Sequence, residues 1–202
     1  LVRSILYTGW IGTYLIYLIM GLLSFSFEEG EVLLFDKPLY WTSFDLVNKV
    51  KNTIRFNLGL KKIKVGHAGT LDPLASGLMI ICTGKATRKI EEYRDLDKEY
   101  VAGINLGATT PSFDLETEVN ERFSVDHITH VLVLDALSGF VGEQDQIPPL
   151  HSAKMINGKR AYEYARKGLH RELAPVKVVF RELELLSFEL PVARIRMVCS
   201  KG

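Results

Sequence analysis

The stretch Gly66-His67-Ala68-Gly69-Thr70-Leu71-Asp72-Pro73-Leu74-Ala75-Ser76-Gly77 sets a single carboxylate, Asp72, between glycines that allow tight turning and close approach by another molecule. Pro73 suits the first position of a helix, and Asp72 before it suits an N-cap. Local chemistry by itself therefore reads Asp72 as the cap of a short helix.

Outward from this loop, the apolar pattern predicts strands and helices in alternation. Glu31–Asp36 reads as a strand stopped by Lys37-Pro38. Thr42-x-x-Asp45 is a capping box that opens a helix with Phe44, Leu46, Val47, Val50 and Ile54 near helical spacing. Leu78–Thr83 reads as a short apolar strand, Ala86–Tyr93 as a short helix and Lys98–Leu106 as a strand. A helix capped by Ser124 is expected to run through Ile128, Val131 and Leu134 to Gly139. The Asn157-Gly158 turn signal closes a strand over Ser152–Ile156. Lys159–Lys167 reads as a helix ended by Gly168, and Val176–Phe188 and Val192–Ser200 as strands separated by Pro191.

A chain of 202 residues can bury a substantial core. Its net charge of +1 argues for no particular partner, but the charge is unevenly spread. Leu46–Leu71 holds six Lys or Arg and no acid, and Lys154–Arg171 holds six against Glu163. Such runs either solvate a helix face or neutralise phosphates. Cys82 and Cys199 share no metal or redox spacing and are expected to be buried free thiols. The five histidines form no metal-binding pattern, so no metal is expected. Ser4–Phe27 carries no charged side chain and is long enough to cross a bilayer. Residues 1–27 are expected to be an apolar extension outside the functional domain, with a membrane anchor as the alternative.

The Asp72 stretch resembles the active-site loop of the TruB family of bacterial tRNA pseudouridine synthases. The resemblance extends through Glu31-Val32-Leu33-Leu34-Phe35-Asp36-Lys37-Pro38, Trp41-Thr42-Ser43, Gly84-Lys85-Ala86-Thr87-Arg88 and Asp97-Lys98-Glu99-Tyr100. It continues through Leu106–Thr110, Ile147–Lys154 and Gly158–Gly168 to Cys199-Ser200-Lys201-Gly202. It implies an α+β pseudouridine synthase fold over residues 28–202, with a mixed, mostly antiparallel central sheet flanked by helices. Asp72 would be the catalytic residue, working ionised at the sugar as nucleophile or base. Tyr100 would stack on the target base and could handle its C5 proton. His67, Arg88 and Lys64 would contact the RNA. The implied reaction is isomerisation of uridine 55 in the T-loop of tRNA, without cofactor, by a cytoplasmic monomer with no obligatory protein partner. A dyskerin-type, guide-directed relative is a second reading, against which the Asp72–Gly77 and Gly158–Arg166 segments look bacterial. The family's Thr-Tyr-Ile-Arg segment, whose Arg pairs with the catalytic Asp, is not seen after Gly202. The chain is therefore expected to be an incomplete catalytic domain whose activity as written is open. A non-catalytic RNA-binding module of the same fold is the alternative.

Overall fold

The computed structural model describes residues 3–4, 25–148, 155–156, 158–160, 164 and 173–200. The strands are β1 (Arg3–Ser4), β2 (Val32–Lys37), β3 (Val65–His67), β4 (Gly77–Thr83), β5 (Lys98–Asn105), β6 (Ala108–Thr109), β7 (Glu121–Arg122), β8 (Gly142–Gln146), β9 (Met155–Ile156), β10 (Lys159–Arg160), β11 (Val176–Glu189) and β12 (Val192–Cys199). The helices are α1 (Ser43–Leu58), a 3₁₀ segment (Gly84–Lys89), α2 (Ile90–Arg94) and α3 (His130–Phe140). The chain divides into two compact units, Leu1–Asp95 and Leu96–Gly202.

The first unit is a four-stranded sheet, ordered β1-β2-β4-β3, packed against α1. The β1–β2 pair is parallel and the other two are antiparallel. Alternation along β2 turns Leu33 and Phe35 inward, where they meet Met79 and Ile81 of β4. The apolar stripe of α1 (Leu46, Val47, Val50 and Ile54) closes this core together with Phe27 and Ile63. The capping box forms as its sequence predicts: the Thr42 hydroxyl accepts from the Asp45 amide at 3.1 Å, and the Asp45 carboxylate accepts from the Thr42 amide at 2.9 Å. Gly59 ends the helix in the left-handed conformation, at φ 62°.

The second unit holds an antiparallel sheet ordered β5-β12-β11-β8. Val178, Ala193, Ile195 and Cys199 are buried in it. Arg196 ties three strand segments on its surface, donating to Glu99 at 2.6 Å and to Glu182 at 2.8 Å. Cys82 and Cys199 are both free and buried, one in each unit, as their apolar settings predict.

Four expectations need correcting. Phe44 does not join the buried stripe of α1 but is 67% exposed, since it lies about 200° around the helix from Leu46. The helix expected from Ala86 begins as a 3₁₀ segment, in which the Thr87 hydroxyl takes the Gly84 carbonyl at 2.8 Å. Ser124 caps no helix, because its hydroxyl is spent on the Asp126 carboxylate at 2.9 Å; Thr129 caps α3 instead. Lys159 and Arg160 start no helix but pair as a strand with Met155 and Ile156, with Gly158 in a turn before them. Of the rest of the helix expected to Lys167, Tyr164 is helical; residues 161–163 and 165–167, residues 152–154 of the preceding strand, residues 149–151 of the Ile147–Lys154 motif, and Lys201 and Gly202 lie outside the described residues, as does most of the uncharged N-terminal stretch. Among the described residues, no helix is long and apolar enough to cross a membrane.

Candidate active site

Asp72 lies on the loop that joins β3 to β4, at the end of the first unit's sheet where Gly77 pairs with Lys37. No helix follows it. Pro73 and Leu74 make a single turn, closed by the Ala75 amide on the Asp72 carbonyl at 3.0 Å. The helix-cap reading of Asp72 therefore fails, and its exposed side chain stands on a loop held from outside. Two contacts supply the hold. Buried Ser43, the first residue of α1, donates its hydroxyl to the Leu71 carbonyl and accepts from the Leu71 amide, each at 2.9 Å. The Tyr40 amide donates to the Pro73 carbonyl at 2.7 Å. The residues on either side of Asp72 are thus pinned to the 38–43 turn, which fixes where the carboxylate is presented.

Lys37 lies at the base of this turn, fully buried, and donates from Nζ to the Pro38 carbonyl at 3.1 Å and to the Trp41 carbonyl at 2.6 Å. Burial lowers its pKa, while the Asp72 and Asp45 carboxylates pull it back up. The sequence reading gave Lys37 no role. Its signal was a charged residue on the inward parity of β2, in step with Leu33 and Phe35. Ser43 and Tyr40 were likewise missed as supports of the loop. Tyr40 adopts φ 67°, uncommon for a residue with a side chain, and is 75% exposed.

The Lys37 environment sets the sign of a pH effect. Its folded pKa is below the ordinary 10.5, so between these two values the unfolded chain binds more protons and stability rises with pH. Lys37→Met removes this dependence and leaves the Pro38 and Trp41 carbonyls short of a donor, for a loss of about 1–3 kcal/mol. The stability gap between the two proteins is expected to widen from neutral pH toward 10.5 in urea titrations. A gap that narrows over that range would contradict the placement of the ammonium group.

The other predicted residues are distributed as follows. His67 ends β3, with Nδ1 at 2.5 Å from the Gly69 carbonyl; a carbonyl only accepts, so Nδ1 carries a proton. Lys64 and Arg88 line one cleft of about 690 Å³ in the first unit, which Asp72 and His67 do not line. Tyr100 belongs to the second unit, half-buried on β5 and in register with Met197.

The sequence profile described as "TruB family pseudouridylate synthase (N terminal domain)" matches residues 55–202. The chain is 59% identical over 177 residues to a protein of Phocaeicola vulgatus named tRNA pseudouridine synthase B, covering 88% of this chain and 75% of that one. It is 51% identical to the protein of the same name from Flavobacterium johnsoniae, covering 88% and 78%. Among solved structures, a Cbf5-Nop10-Gar1 complex matches with a TM-score of 0.59 and 27% identity, over 87% of this chain and 41% of that one. A further structure, of an H/ACA RNP bound to a substrate RNA containing 2′-deoxyuridine, matches with a TM-score of 0.54 at 22% identity, a likeness of fold alone. The profile match runs through both units, and the identity extends over most of the chain: it belongs to the TruB family of pseudouridylate synthases.

Proposed function

We propose that this protein isomerises uridine to pseudouridine in tRNA, at position 55 of the T-loop, with Asp72 as the catalytic residue. The observation that carries the reading is the exposed carboxylate of Asp72 on a loop pinned at Leu71 and Pro73. Relatives 51–59% identical that bear the name tRNA pseudouridine synthase B support the choice of RNA.

The reaction breaks the C1′–N1 bond, turns the base and joins C1′ to C5; the C5 proton is lost and N1 gains one. Atoms balance without a redox step, so no cofactor is required. A carboxylate can act at the sugar as nucleophile or as base while the uracil leaves. Tyr100 is assigned to stacking on the target base and to the late proton at C5. His67, its ring held through Nδ1 on the Gly69 carbonyl, is assigned to the RNA beside the flipped nucleotide. Lys64 and Arg88 are assigned to phosphates. The target base is drawn from a folded loop, at a cost of a few kcal/mol that stacking and phosphate contacts offset. The protein is read as a cytoplasmic monomer that needs no protein partner, and sedimentation checks the monomer.

The test is release of tritium from a T-arm hairpin labelled at C5 of its uridines. Release confined to the nucleotide equivalent to position 55 is the expected result. Release from a different uridine of the hairpin would overturn the positional assignment.

A further inference from the structure

We propose that Tyr40 stacks on a second base of the RNA loop, the neighbour left with an uncovered face when the target nucleotide is drawn out beside Asp72. The inference rests on the RNA reading above and adds to it an aromatic contact from the first unit.

The turn that carries Tyr40 is braced on both sides. The buried Lys37 ammonium holds the carbonyls of Pro38 at 3.1 Å and Trp41 at 2.6 Å, and the Tyr40 amide donates to the Pro73 carbonyl at 2.7 Å. Between these ties Tyr40 sits at φ 67°, a region that glycine enters freely and a residue with a side chain enters at a cost. Strained backbone of this kind persists only where its surroundings over-determine it, and it gathers at ligand contacts. A glycine would close the same turn without strain, so the turn by itself does not account for a tyrosine.

The side chain is left open to solvent. Among the described residues, the Tyr40 ring stacks on no other ring and its hydroxyl makes no hydrogen bond. Leu39 and Trp41 of the same turn, Phe44 at the start of α1 and Leu74 of the Asp72 loop are exposed as well. Large apolar side chains gathered around one point in this way mark a contact site. An aromatic ring on a fixed turn suits the π-face that every base presents.

The same ties set Tyr40 beside the reacting nucleotide. Pro73, which takes the Tyr40 amide, adjoins Asp72, with about 3.8 Å between their Cα atoms. The Asp72 carboxylate is also near enough to the Lys37 ammonium to favour its charged form, so it lies within electrostatic reach of the group that braces this turn. Drawing one base out of a folded loop removes its stacking on the bases either side. An aromatic ring held next to Asp72 replaces that lost stacking on one of them. Tyr100 is assigned to the target base itself, which leaves a neighbouring base for Tyr40.

The test is fluorescence anisotropy of a labelled T-arm hairpin against the native chain, Tyr40→Gly and Tyr40→Phe, with folding checked by circular dichroism. Glycine accepts φ 67° and keeps the main-chain bond to Pro73, so Tyr40→Gly should stay folded. It should bind the hairpin about 5–150-fold more weakly, the effect of removing one base–aromatic stack. Tyr40→Phe should bind like the native chain. Three further hairpins carry an abasic sugar at the target or at its 5′ or 3′ neighbour. Loss of one neighbouring base should weaken the native chain and weaken Tyr40→Gly no further. Native affinity in Tyr40→Gly overturns the stacking contact and leaves the tRNA reading standing. Weak binding by Tyr40→Phe would give the contact to the hydroxyl and overturns it equally. Coupling to the target base, or additive losses at all three positions, overturns the choice of base. A hairpin that fails to bind the native chain overturns both readings.

Discussion

Asp72→Asn should reduce tritium release to background while leaving the affinity for the T-arm hairpin intact or slightly improved. The change preserves shape and removes charge. The hold on the loop uses backbone groups of Leu71 and Pro73 and the hydroxyl of Ser43, none of which the substitution touches. Removing a negative charge near a polyanion favours binding, so a loss of turnover cannot be put down to lost affinity. The size of the loss separates the two roles open to the carboxylate. A general base contributes about 10²–10⁴-fold, whereas removal of a nucleophile costs on the order of 10⁶-fold. Turnover near the native rate in the Asn variant would remove Asp72 from the chemistry, and weaker binding with turnover kept would make it a binding residue.

Gly84→Ala should cost the first unit about 3 kcal/mol or more. Gly84 has φ 48°, and a Cβ built on it would lie 2.2 Å from the Glu28 carbonyl oxygen and 2.4 Å from that of Phe27. Both are backbone atoms, which cannot swing aside as a side-chain end can. The left-handed conformation by itself costs about 1–2 kcal/mol with a side chain present. The rest comes from displacing the 27–28 segment, which carries Phe27 into the core, and from the strain on the Gly84 amide bond to the Lys64 carbonyl at 2.9 Å. With a urea slope of about 1–3 kcal/mol/M the midpoint should fall by about 1 M or more. Gly69→Ala is the matched control, because a Cβ there meets nothing within 4 Å. Equal midpoints for the two variants would show that the close approach at Gly84 is not sustained in solution.

Local signals carried much of this fold. The capping box at Thr42 and Asp45, the alternation in β2 and the uninterrupted apolar run of β4 each depend on residues a few positions apart, and each formed where expected. The failures came where a nearby group competed for the same hydrogen bond, as at Ser124, or where a turn and its second strand overrode a helical pattern, as at Lys159. Pairings such as β5 with β12 join residues nearly a hundred positions apart, and no local pattern encodes them. In the candidate site, the Asp72 loop was legible because its glycines, acid and proline are contiguous. Lys37, Ser43 and Tyr40 were not: Ser43 and Tyr40 hold main-chain groups of that loop about 30 residues away, and Lys37 braces the turn that carries them through the Pro38 and Trp41 carbonyls. A lysine in step with two core residues was the one sign available.

The two buried thiols have a use that follows from where they are. Cys82 and Cys199 are the chain's only cysteines, and each compact unit holds one. Burial leaves them at most 3% exposed and raises the pKa of both, so neither presents a thiolate to an alkylating reagent while its unit stays closed. Modification must then await opening of the surrounding structure. The chain thus carries a built-in pair of clocks, and the ratio of labelling rates at Cys82 and Cys199 times the opening of one unit against the other without any added probe.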